Sequence, residues 1–574
     1  MRAATPALVR LPVWRARVVM CALLAAFGVL GARSLYLQSM RTDFLQEKGE
    51  ARYSRVLEVP GTRGRVLDRN GEALAISTPV QSVWAIPGDV GATGAELKQL
   101  SALLGLEQRD LRKKLADPAR DFVYLKRQIA PEQAEQVARL GLAGIYQHRE
   151  YRRYYPGGEV TAHVVGFTGV DEAGQEGVEL AFQASLGGVP GSRRVIKDRL
   201  GRVVEDVESI RGAQDGEDVT LALDGKIQSL AYAALKSALV AHKAKAAALV
   251  VLDVRTGEVL ALANLPSFNP NNRARLSGAQ LRNRVLTDTF EPGSTLKPFT
   301  VALALEQGRV TPRSVVSARG ETLRIARYTI HDPHPDGAVS VSQVIQKSSN
   351  VGAAKLALSL PREDLWRMFQ SAGFGAPPQL GFPGEAAGKL RAAGTWRPVE
   401  QATMAYGHGI SVSLMQLARA YTMFARDGEL IPVTLRKSPQ TAPGTRVVSA
   451  ATARAVRAML ELAVQPGGTA PRARIMGWRV AGKTGTAHKQ ENGGYAPDKY
   501  IASFVGLAPA SDPRLVIAVM IDEPSAGQYY GGVVAAPVFA QVAQGALRLL
   551  GVPHDAPLEP VPLPGEGEEA REST

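Results

Sequence analysis

Val18 to Ala32 contains only apolar or small side chains. A run like this is the tightest constraint the chain places on its own fold, because in hydrocarbon a lone segment satisfies its backbone only as a helix. Arg33 follows and Leu35-Tyr36-Leu37 extends the run. With Arg33 snorkelling, Val18–Leu37 has about the 20 residues that span a bilayer. Residues 1–17 carry Arg2, Arg10, Arg15 and Arg17 and no acidic residue. That asymmetry predicts a cytoplasmic N-terminus, with the chain from residue 38 on the other side of the membrane. A cleaved signal peptide is the alternative. A cut after Ala32 would put bulky Leu30 at the −3 position, so an uncleaved anchor is preferred.

The remaining length is enough for several domains with cores of their own. The net charge of +14 suits nucleic acid, an anionic membrane surface or an anionic polymer. The arginines are dispersed, however, with no basic helix interleaved with aromatics and no RNA-binding signature, which argues against nucleic acid. The only cysteine, Cys21, lies in the apolar run, so the soluble part forms no disulfide. No H-E-x-x-H occurs, and His331-Asp332-Pro333-His334 looks like a loop. No metal is expected.

Residues 38–216 form a mixed region. Gly61-Thr62-Arg63-Gly64-Arg65-Val66-Leu67-Asp68-Arg69-Asn70-Gly71 carries Asn-Gly turn chemistry and predicts a hairpin. Helical periodicity appears in Glu96–Leu104, Gln108–Leu115 and Pro131–Leu140. Arg152–Gly158 and Gly174–Glu179 are polar, Gly-rich turns. Nothing here has catalytic spacing, so the region is expected to be a scaffold.

At Asp218–Leu221 the pattern changes. A strand leads to Asp224 and a helix from Gly225 to about Lys243. Ala248–Val254, a turn, and Glu258–Ala263 predict a buried antiparallel hairpin. A largely helical stretch follows to about residue 464, including 341–346, 351–358, 415–425 and 451–462. Strands are expected at Trp478–Ala481, Tyr500–Leu507 and Leu515–Ile521, then a helix at about Val534–Leu550. Strands at both ends of a helical insert make an α+β domain with one antiparallel sheet, residues 217–552. The tail, 553–574, is rich in Pro, Gly and Glu and is expected to be disordered.

Three polar stretches interrupt this domain. In Glu291-Pro292-Gly293-Ser294-Thr295-Leu296-Lys297-Pro298, Pro298 marks the first turn of a helix. Ser294 and Lys297 then share a face, and a helix start disfavours the lysine's cation. A neutral amine beside a hydroxyl activates a nucleophile. The S-x-x-K spacing is weak alone, although it occurs once in the chain. Lys347-Ser348-Ser349-Asn350 breaks two helices, and Ala481-Gly482-Lys483-Thr484-Gly485-Thr486 directly follows a strand. Gly485 leaves room for another backbone to approach.

S-x-x-K, S-x-N and K-T-G in that order resemble the penicillin-binding proteins and class A β-lactamases. With a one-pass anchor (18–37) and a non-catalytic pedestal (38–216), the chain resembles a class B penicillin-binding protein. The Arg63–Gly71, Arg152–Gly158 and Gly174–Glu179 stretches look like that family's pedestal motifs. Ser348–Gly352, Gly381–Glu385, Ala405–Gly409 and Asp522-Glu523-Pro524 look like its division-specific members.

The resemblance implies a penicillin-binding/serine β-lactamase-like transpeptidase fold, an antiparallel sheet plus an all-helical subdomain. It implies a serine D,D-transpeptidase crosslinking peptidoglycan stem peptides at the septum, a target of β-lactams. Ser294 would be the acylated nucleophile, Lys297 its general base and Ser348 a proton relay. Lys483 would be a second cation, and Asn350 would hold a substrate amide. Thr484 and Thr486, with Gly485 between them, would bind the substrate carboxylate. The backbone N–H groups of Ser294 and Thr486 would form the oxyanion hole. No cofactor is implied. The implied setting is a bacterial inner membrane with the catalytic domain in the periplasm, and the implied partners are division proteins including a glycan-strand polymerase. A β-lactam hydrolase or carboxypeptidase, or a non-catalytic division scaffold, remain open alternatives at this point.

Overall fold

The computed structural model describes residues 12–37, 54–59, 61–197, 203–317, 322–332, 338–438, 440–441, 443–491 and 493–559, without side chains at 54–58, 196–197, 203–208 and 317. Helix α1, Val13–Leu35, starts before the expected Val18. Val13 to Arg17 lack helix breakers after Pro12, and their arginines snorkel. Its 23 residues span about 35 Å, enough for a bilayer's hydrocarbon, and none is buried. The stretch 531–549 is also long and apolar enough to span, but it is shorter and less apolar than α1 and over half of it is packed inside the protein.

The pedestal contains β1 (Ser54–Val59), β2 (Val66–Leu67), β3 (Ala73–Ala85), α2 (Gly94–Leu104), α3 (Gln108–Lys114), β4 (Val123–Ile129), α4 (Pro131–Arg139), β5 (Ile145–Tyr154), β6 (Gly191–Lys197) and β7 (Val203–Arg211), and β8 (Val219–Thr220) follows it. The Asn-Gly stretch forms the expected hairpin: β2 runs antiparallel to β3, and Gly71 takes φ +89° in the turn. Long β3 then holds both β4 and β5. Val83, Leu100, Leu104, Leu111, Leu125 and Val137 make a small core of their own.

The three polar pedestal stretches, far apart in sequence, meet at one carboxylate. Arg63 Nε donates to Glu179 Oε2 at 2.6 Å, and Arg153 Nε donates to Glu179 Oε1 at 2.6 Å. All three side chains are buried. The rest of each guanidinium is also used: Arg63 reaches the Glu179 carbonyl and Gln183, and Arg153 reaches the Gly64 carbonyl and Ser77. A charge cluster survives burial only when its donors are filled in this way.

The pedestal is stitched into the second domain. The strand that follows residue 216, β8, pairs in parallel with pedestal strand β2. Asp68 turns its Oδ1 to the Asn70 and Glu72 amides and its Oδ2 to the Gly225 amide. Asn70 Nδ2 donates to Asp224 Oδ2, while Asp224 Oδ1 caps the next helix by accepting from the Lys226 and Ile227 amides.

That helix is α5, Gly225–Ala241. It is followed by β9 (Ala246–Asp253), β10 (Val259–Leu265), α6 (Lys297–Glu306), α7 (Val341–Gln346), α8 (Asn350–Leu358), α9 (Leu414–Ala425), α10 (Ala450–Leu462), β11 (Ala481–Glu491), β12 (Gly494–Ala508), β13 (Leu515–Asp522) and α11 (Ala536–Leu549). The sheet order is β10-β9-β13-β12-β11, antiparallel throughout. Ala247, Leu249 and Val251 of β9 face a core shared with α5 and α11. Ala248, Val250 and Leu252 face the opposite core, shared with α6 and α9. Burial on both faces explains why β9 is an unbroken apolar run.

Two details differ from expectation. Trp478–Val480 is not in a strand. Gly477 (φ +87°) makes a turn there, and Trp478 Nε1 donates to the Pro553 carbonyl. The K-T-G triplet therefore lies inside β11 rather than after a strand. The tail also begins later than residue 553: Asp555 accepts from the Arg479 amide and the Ser511 hydroxyl, and His554 packs on Trp478. Residues 560–574 lie outside the described residues.

Candidate active site

Ser294 sits in a single 3₁₀ turn, Gly293–Leu296, that runs into α6. The Lys297 amide closes the turn on the Ser294 carbonyl. Pro298 then falls in the first turn of α6, as its missing N–H requires. Ser294 and Lys297 are both buried. Tyr421, from α9, donates its hydroxyl to the Thr295 carbonyl at 2.7 Å and so holds the turn from behind. The Ala405–Gly409 loop presses against the same turn. A Cβ at Gly407 (φ +84°) would lie 2.2 Å from the Gly293 carbonyl oxygen. Gly407→Ala should therefore displace the serine turn and slow its acylation at least tenfold, read as the rate of labelling by a fluorescent penicillin. Parental labelling kinetics in that variant would contradict the packing described.

Lys297 Nζ donates to the Ser348 carbonyl at 2.5 Å and to the Ser348 hydroxyl at 3.0 Å. Ser348 adopts φ +61°, unusual for a residue with a Cβ, and this turns both oxygens to one amine. Ser349 caps α8 by accepting from the Gly352 amide. Asn350 is buried, and its Oδ1 has no hydrogen-bond partner among the described residues. A buried acceptor left open in this way suits a ligand's N–H.

β11 is the sheet's edge strand on this side, and its outer edge runs beside the serine turn. A Cβ at Gly485 would lie 2.7 Å from the Pro292 carbonyl oxygen, and one at Gly293 would lie 3.6 Å from the Thr486 amide nitrogen. At 485 only a glycine permits that approach, whereas at Gly293 it is the φ of +58° that favours glycine. Lys483 Nζ donates to Thr484 Oγ1 at 3.1 Å, Thr484 Oγ1 donates to Thr469 Oγ1 at 3.0 Å, and Thr486 Oγ1 accepts from the Gly531 amide at 3.0 Å. Lys297 and Ser348 are thus bonded to one another, the Ser294 turn lies against β11 at Gly485 and Thr486, and Asn350 opens α8 two residues after Ser348, while Lys483 and Thr484 bond along β11.

Sequence reasoning missed several neighbours. Glu291 accepts from the Gly409 amide (2.8 Å), Gln490 Nε2 (2.9 Å) and the Tyr495 hydroxyl (2.9 Å). Burial raises its pKa above the usual carboxylate range. His408 packs between Tyr406 and Tyr495. Burial pushes its pKa down to about 4, so it is neutral at pH 7. Tyr500 stacks on Tyr529, with ring centroids 4.0 Å apart, beside His488. Apart from the Tyr406–His408 contact, these bridge segments distant in sequence and carry no local spacing signal. The exception is Ser349, a serine at a helix start.

The family model for the penicillin-binding protein dimerisation domain matches residues 58–221. The one for the penicillin-binding protein transpeptidase domain matches residues 247–544. The chain belongs to the class B penicillin-binding proteins. The probable peptidoglycan D,D-transpeptidase PenA of Neisseria gonorrhoeae is 43% identical over 548 residues, 95% of this chain and 94% of that protein. The peptidoglycan D,D-transpeptidase FtsI of Escherichia coli K12 is 41% identical over 549 residues, 95% and 93% of the two chains. Among solved structures, the apo transpeptidase domain of Burkholderia pseudomallei penicillin-binding protein 3 is 50% identical, covers 59% of this chain and 98% of that one, and has a TM-score of 0.55. Penicillin-binding protein 3 of Mycobacterium tuberculosis, complexed with aztreonam, is 29% identical, covers 88% and 99%, and has a TM-score of 0.68. In this penicillin-binding protein the pedestal and the transpeptidase domain follow an N-terminal helix able to anchor it to a membrane.

Proposed function

We propose that this penicillin-binding protein is a serine D,D-transpeptidase that crosslinks the stem peptides of peptidoglycan at the division septum. The observation that carries the reading is the bonding of the buried Lys297 amine to Ser348, one turn from Ser294 and against the edge of β11. Relatives named peptidoglycan D,D-transpeptidase support it across nearly the whole chain.

Burial disfavours the ammonium form of Lys297. The neutral amine takes the Ser294 proton as Oγ attacks the carbonyl carbon between two terminal D-alanines. The backbone N–H groups of Ser294 and Thr486 stabilise the resulting oxyanion, each such donor contributing about 3–4 kcal/mol. The proton held by Lys297 passes through the Ser348 hydroxyl to the departing nitrogen. The C–N bond breaks, D-alanine leaves, and the donor peptide remains as an ester on Ser294. An amine of a neighbouring stem peptide then attacks the ester, forming the crosslink and returning the proton to Ser294 by the same route. The Asn350 side chain meets a substrate amide. Lys483, Thr484 and Thr486 meet the substrate carboxylate. A β-lactam enters as an imitation of the D-Ala-D-Ala bond.

The Arg15 and Arg17 end of α1 lies on the cytoplasmic side and the catalytic domain on the periplasmic side. There the enzyme works with division proteins, including a polymerase that supplies glycan strands. The test is to trap a fluorescent penicillin, digest the protein and map the label by mass. The adduct should sit on the peptide containing Ser294 and persist for hours. Label on another peptide would refute the site, and rapid release as hydrolysed drug would favour a β-lactamase.

A further inference from the structure

The pedestal sheet has two unlike faces. Val83 and Ala85 of β3 point into the small core beneath α2, α3 and α4, with Leu100, Leu111 and Val137. Trp84 lies between them in the strand and so points the other way. Its register partners are Tyr124 on β4 and Tyr146 on β5, which therefore share that second face. The Trp84 ring stacks on Tyr146 with centroids 4.6 Å apart and lies 4.8 Å from Phe122, and Phe122 meets Tyr124 edge-on at 4.7 Å. Phe122 is 46% exposed. An antiparallel sheet normally turns polar side chains to its open face, so four joined rings there mark a surface that binds something.

The rings border a groove of about 750 Å³, with Val59, Val170 and Pro190 also in its lining. Beside the rings the lining turns polar. Glu150 Oε1 accepts from the Tyr124 hydroxyl at 3.2 Å, and Oε2 accepts from the Ser82 hydroxyl at 2.6 Å. Arg127 Nε donates to both oxygens at 3.2 Å, and its Nη1 reaches Asp171 at 2.8 Å. The Arg127 guanidinium lies 4.8 Å from the Tyr124 ring centroid, and Arg149 lies over Tyr151 in the same way. The charges of the lining balance: Arg127, Arg149 and Arg193 stand against Glu150, Asp171 and Glu172.

That balance selects among ligands. An anionic lipid surface or a nucleic acid would need a surplus of cations, which this groove lacks even in a chain of net charge +14. The core of a protein–protein contact is depleted of Asp and Glu, whereas three carboxylates line this groove. A sugar suits both halves of the surface. A pyranose ring turns an apolar face of C–H groups to an aromatic ring, and its hydroxyls both donate and accept, matching carboxylates and guanidinium groups. The volume is in the range that holds a ligand of several rings.

We propose that this face of the pedestal is a glycan-binding site: the Trp84, Phe122, Tyr124 and Tyr146 rings stack on sugars of a peptidoglycan strand, and Arg127, Glu150 and Asp171 bond its hydroxyls. The choice of glycan rests on the peptidoglycan reading made above. The site deepens that reading, because it holds the strand itself on a domain with no catalytic residue, while the serine acts on the strand's peptides.

The test is a titration of the full-length protein in detergent with end-labelled, peptide-free glycan strands, read by fluorescence polarisation before and after Ser294 is acylated with penicillin. Acylation closes the catalytic cleft to the strands. Hydroxyl-radical footprinting of the same samples reads Phe122. The parent should bind equally well in both forms, and oxidation of Phe122 should fall at least threefold at saturation. Phe122→Ala should weaken binding about tenfold and Trp84→Ala at least as much, as loss of a central aromatic does. Proteolytic resistance of the pedestal counts the folded protein. Phe122 is exposed, so Phe122→Ala should fold, and it decides the matter alone should Trp84→Ala not fold. No binding by the parent at millimolar strand ends, or parental affinity in Phe122→Ala, would overturn the proposal. Binding lost on acylation would place the strand in the catalytic cleft and refute the groove. A Phe122 already protected before strands are added would refute it too, since another segment of the chain or a second copy would then cover the face. Penicillin uptake scores the underlying reading separately: a parent that takes up none loses the transpeptidase assignment, whereas a fully acylated parent that ignores the strands loses only the glycan site.

Discussion

Ser294→Ala is expected to abolish covalent labelling by a fluorescent penicillin, and Lys297→Ala to slow it by roughly 10²- to 10⁴-fold. The two losses differ in kind. Without the Ser294 oxygen no ester forms, however well the β-lactam is held. Without the Lys297 amine the oxygen remains, but its proton has no base. The turn that carries Ser294 is held by Tyr421, Gly407 and the edge of β11. These contacts do not involve the Lys297 amine, so Lys297→Ala should leave the turn in place and retain non-covalent β-lactam binding. Acylation rate and competitive binding, measured on the same preparations, check this. Ser294→Ala that still takes up label irreversibly, or Lys297→Ala that acylates at the parental rate, would overturn the assignment.

The largest effect on stability should come from the pedestal. Glu179→Ala leaves two guanidinium groups, Arg63 and Arg153, buried without their shared counter-ion. Breaking a buried pair by removing one partner costs about 3–5 kcal/mol, and here one deletion breaks two. The expected result is a much lower urea midpoint for proteolytic resistance of the pedestal. Penicillin labelling of the transpeptidase domain should persist, because Ser294 shares no hydrogen bond with this cluster. Replacing all three residues by apolar ones of similar size should cost less than Glu179→Ala alone, since it removes the charges along with their partner. An unchanged midpoint in Glu179→Ala would show that the cluster contributes nothing to the pedestal.

What was legible in the sequence follows the range over which each signal acts. The β9–β10 hairpin was legible because both faces of β9 are buried, so apolar side chains fill nearly every position. The helices at 341–346 and 350–358 were legible because Ser340 and Ser349 cap them locally. Ser294, Lys297, Ser348 and Lys483 were legible as polar residues in fixed order inside an apolar domain. What they touch was not. Tyr421 reaches Thr295 from 126 residues away, and Gly409 and Tyr495 reach Glu291 across 118 and 204. Asp332, which accepts from the Ser349 hydroxyl and the Asn350 and Val351 amides, was invisible for another reason: it lies in irregular chain, where no period or cap distinguishes a bonded carboxylate from a solvated one. The pedestal stretches show the same limit. Arg63, Arg153 and Glu179 each stood out as polar residues near glycines, but that they neutralise one another is a fact of three dimensions only.

The parallel pairing of Val219–Thr220 with Val66–Leu67 has a mechanical side. These strands join the two halves of the molecule through main-chain hydrogen bonds, reinforced by the Asp68–Gly225 bond and the Asn70–Asp224 bond. A force along these strands would load their bonds together, in shear, instead of peeling them one at a time. The seam lies directly before α5, whose far side packs on the sheet that ends in β11. The seam therefore ties the position of the transpeptidase sheet to that of the pedestal, so a movement of one is carried into the other through the main chain.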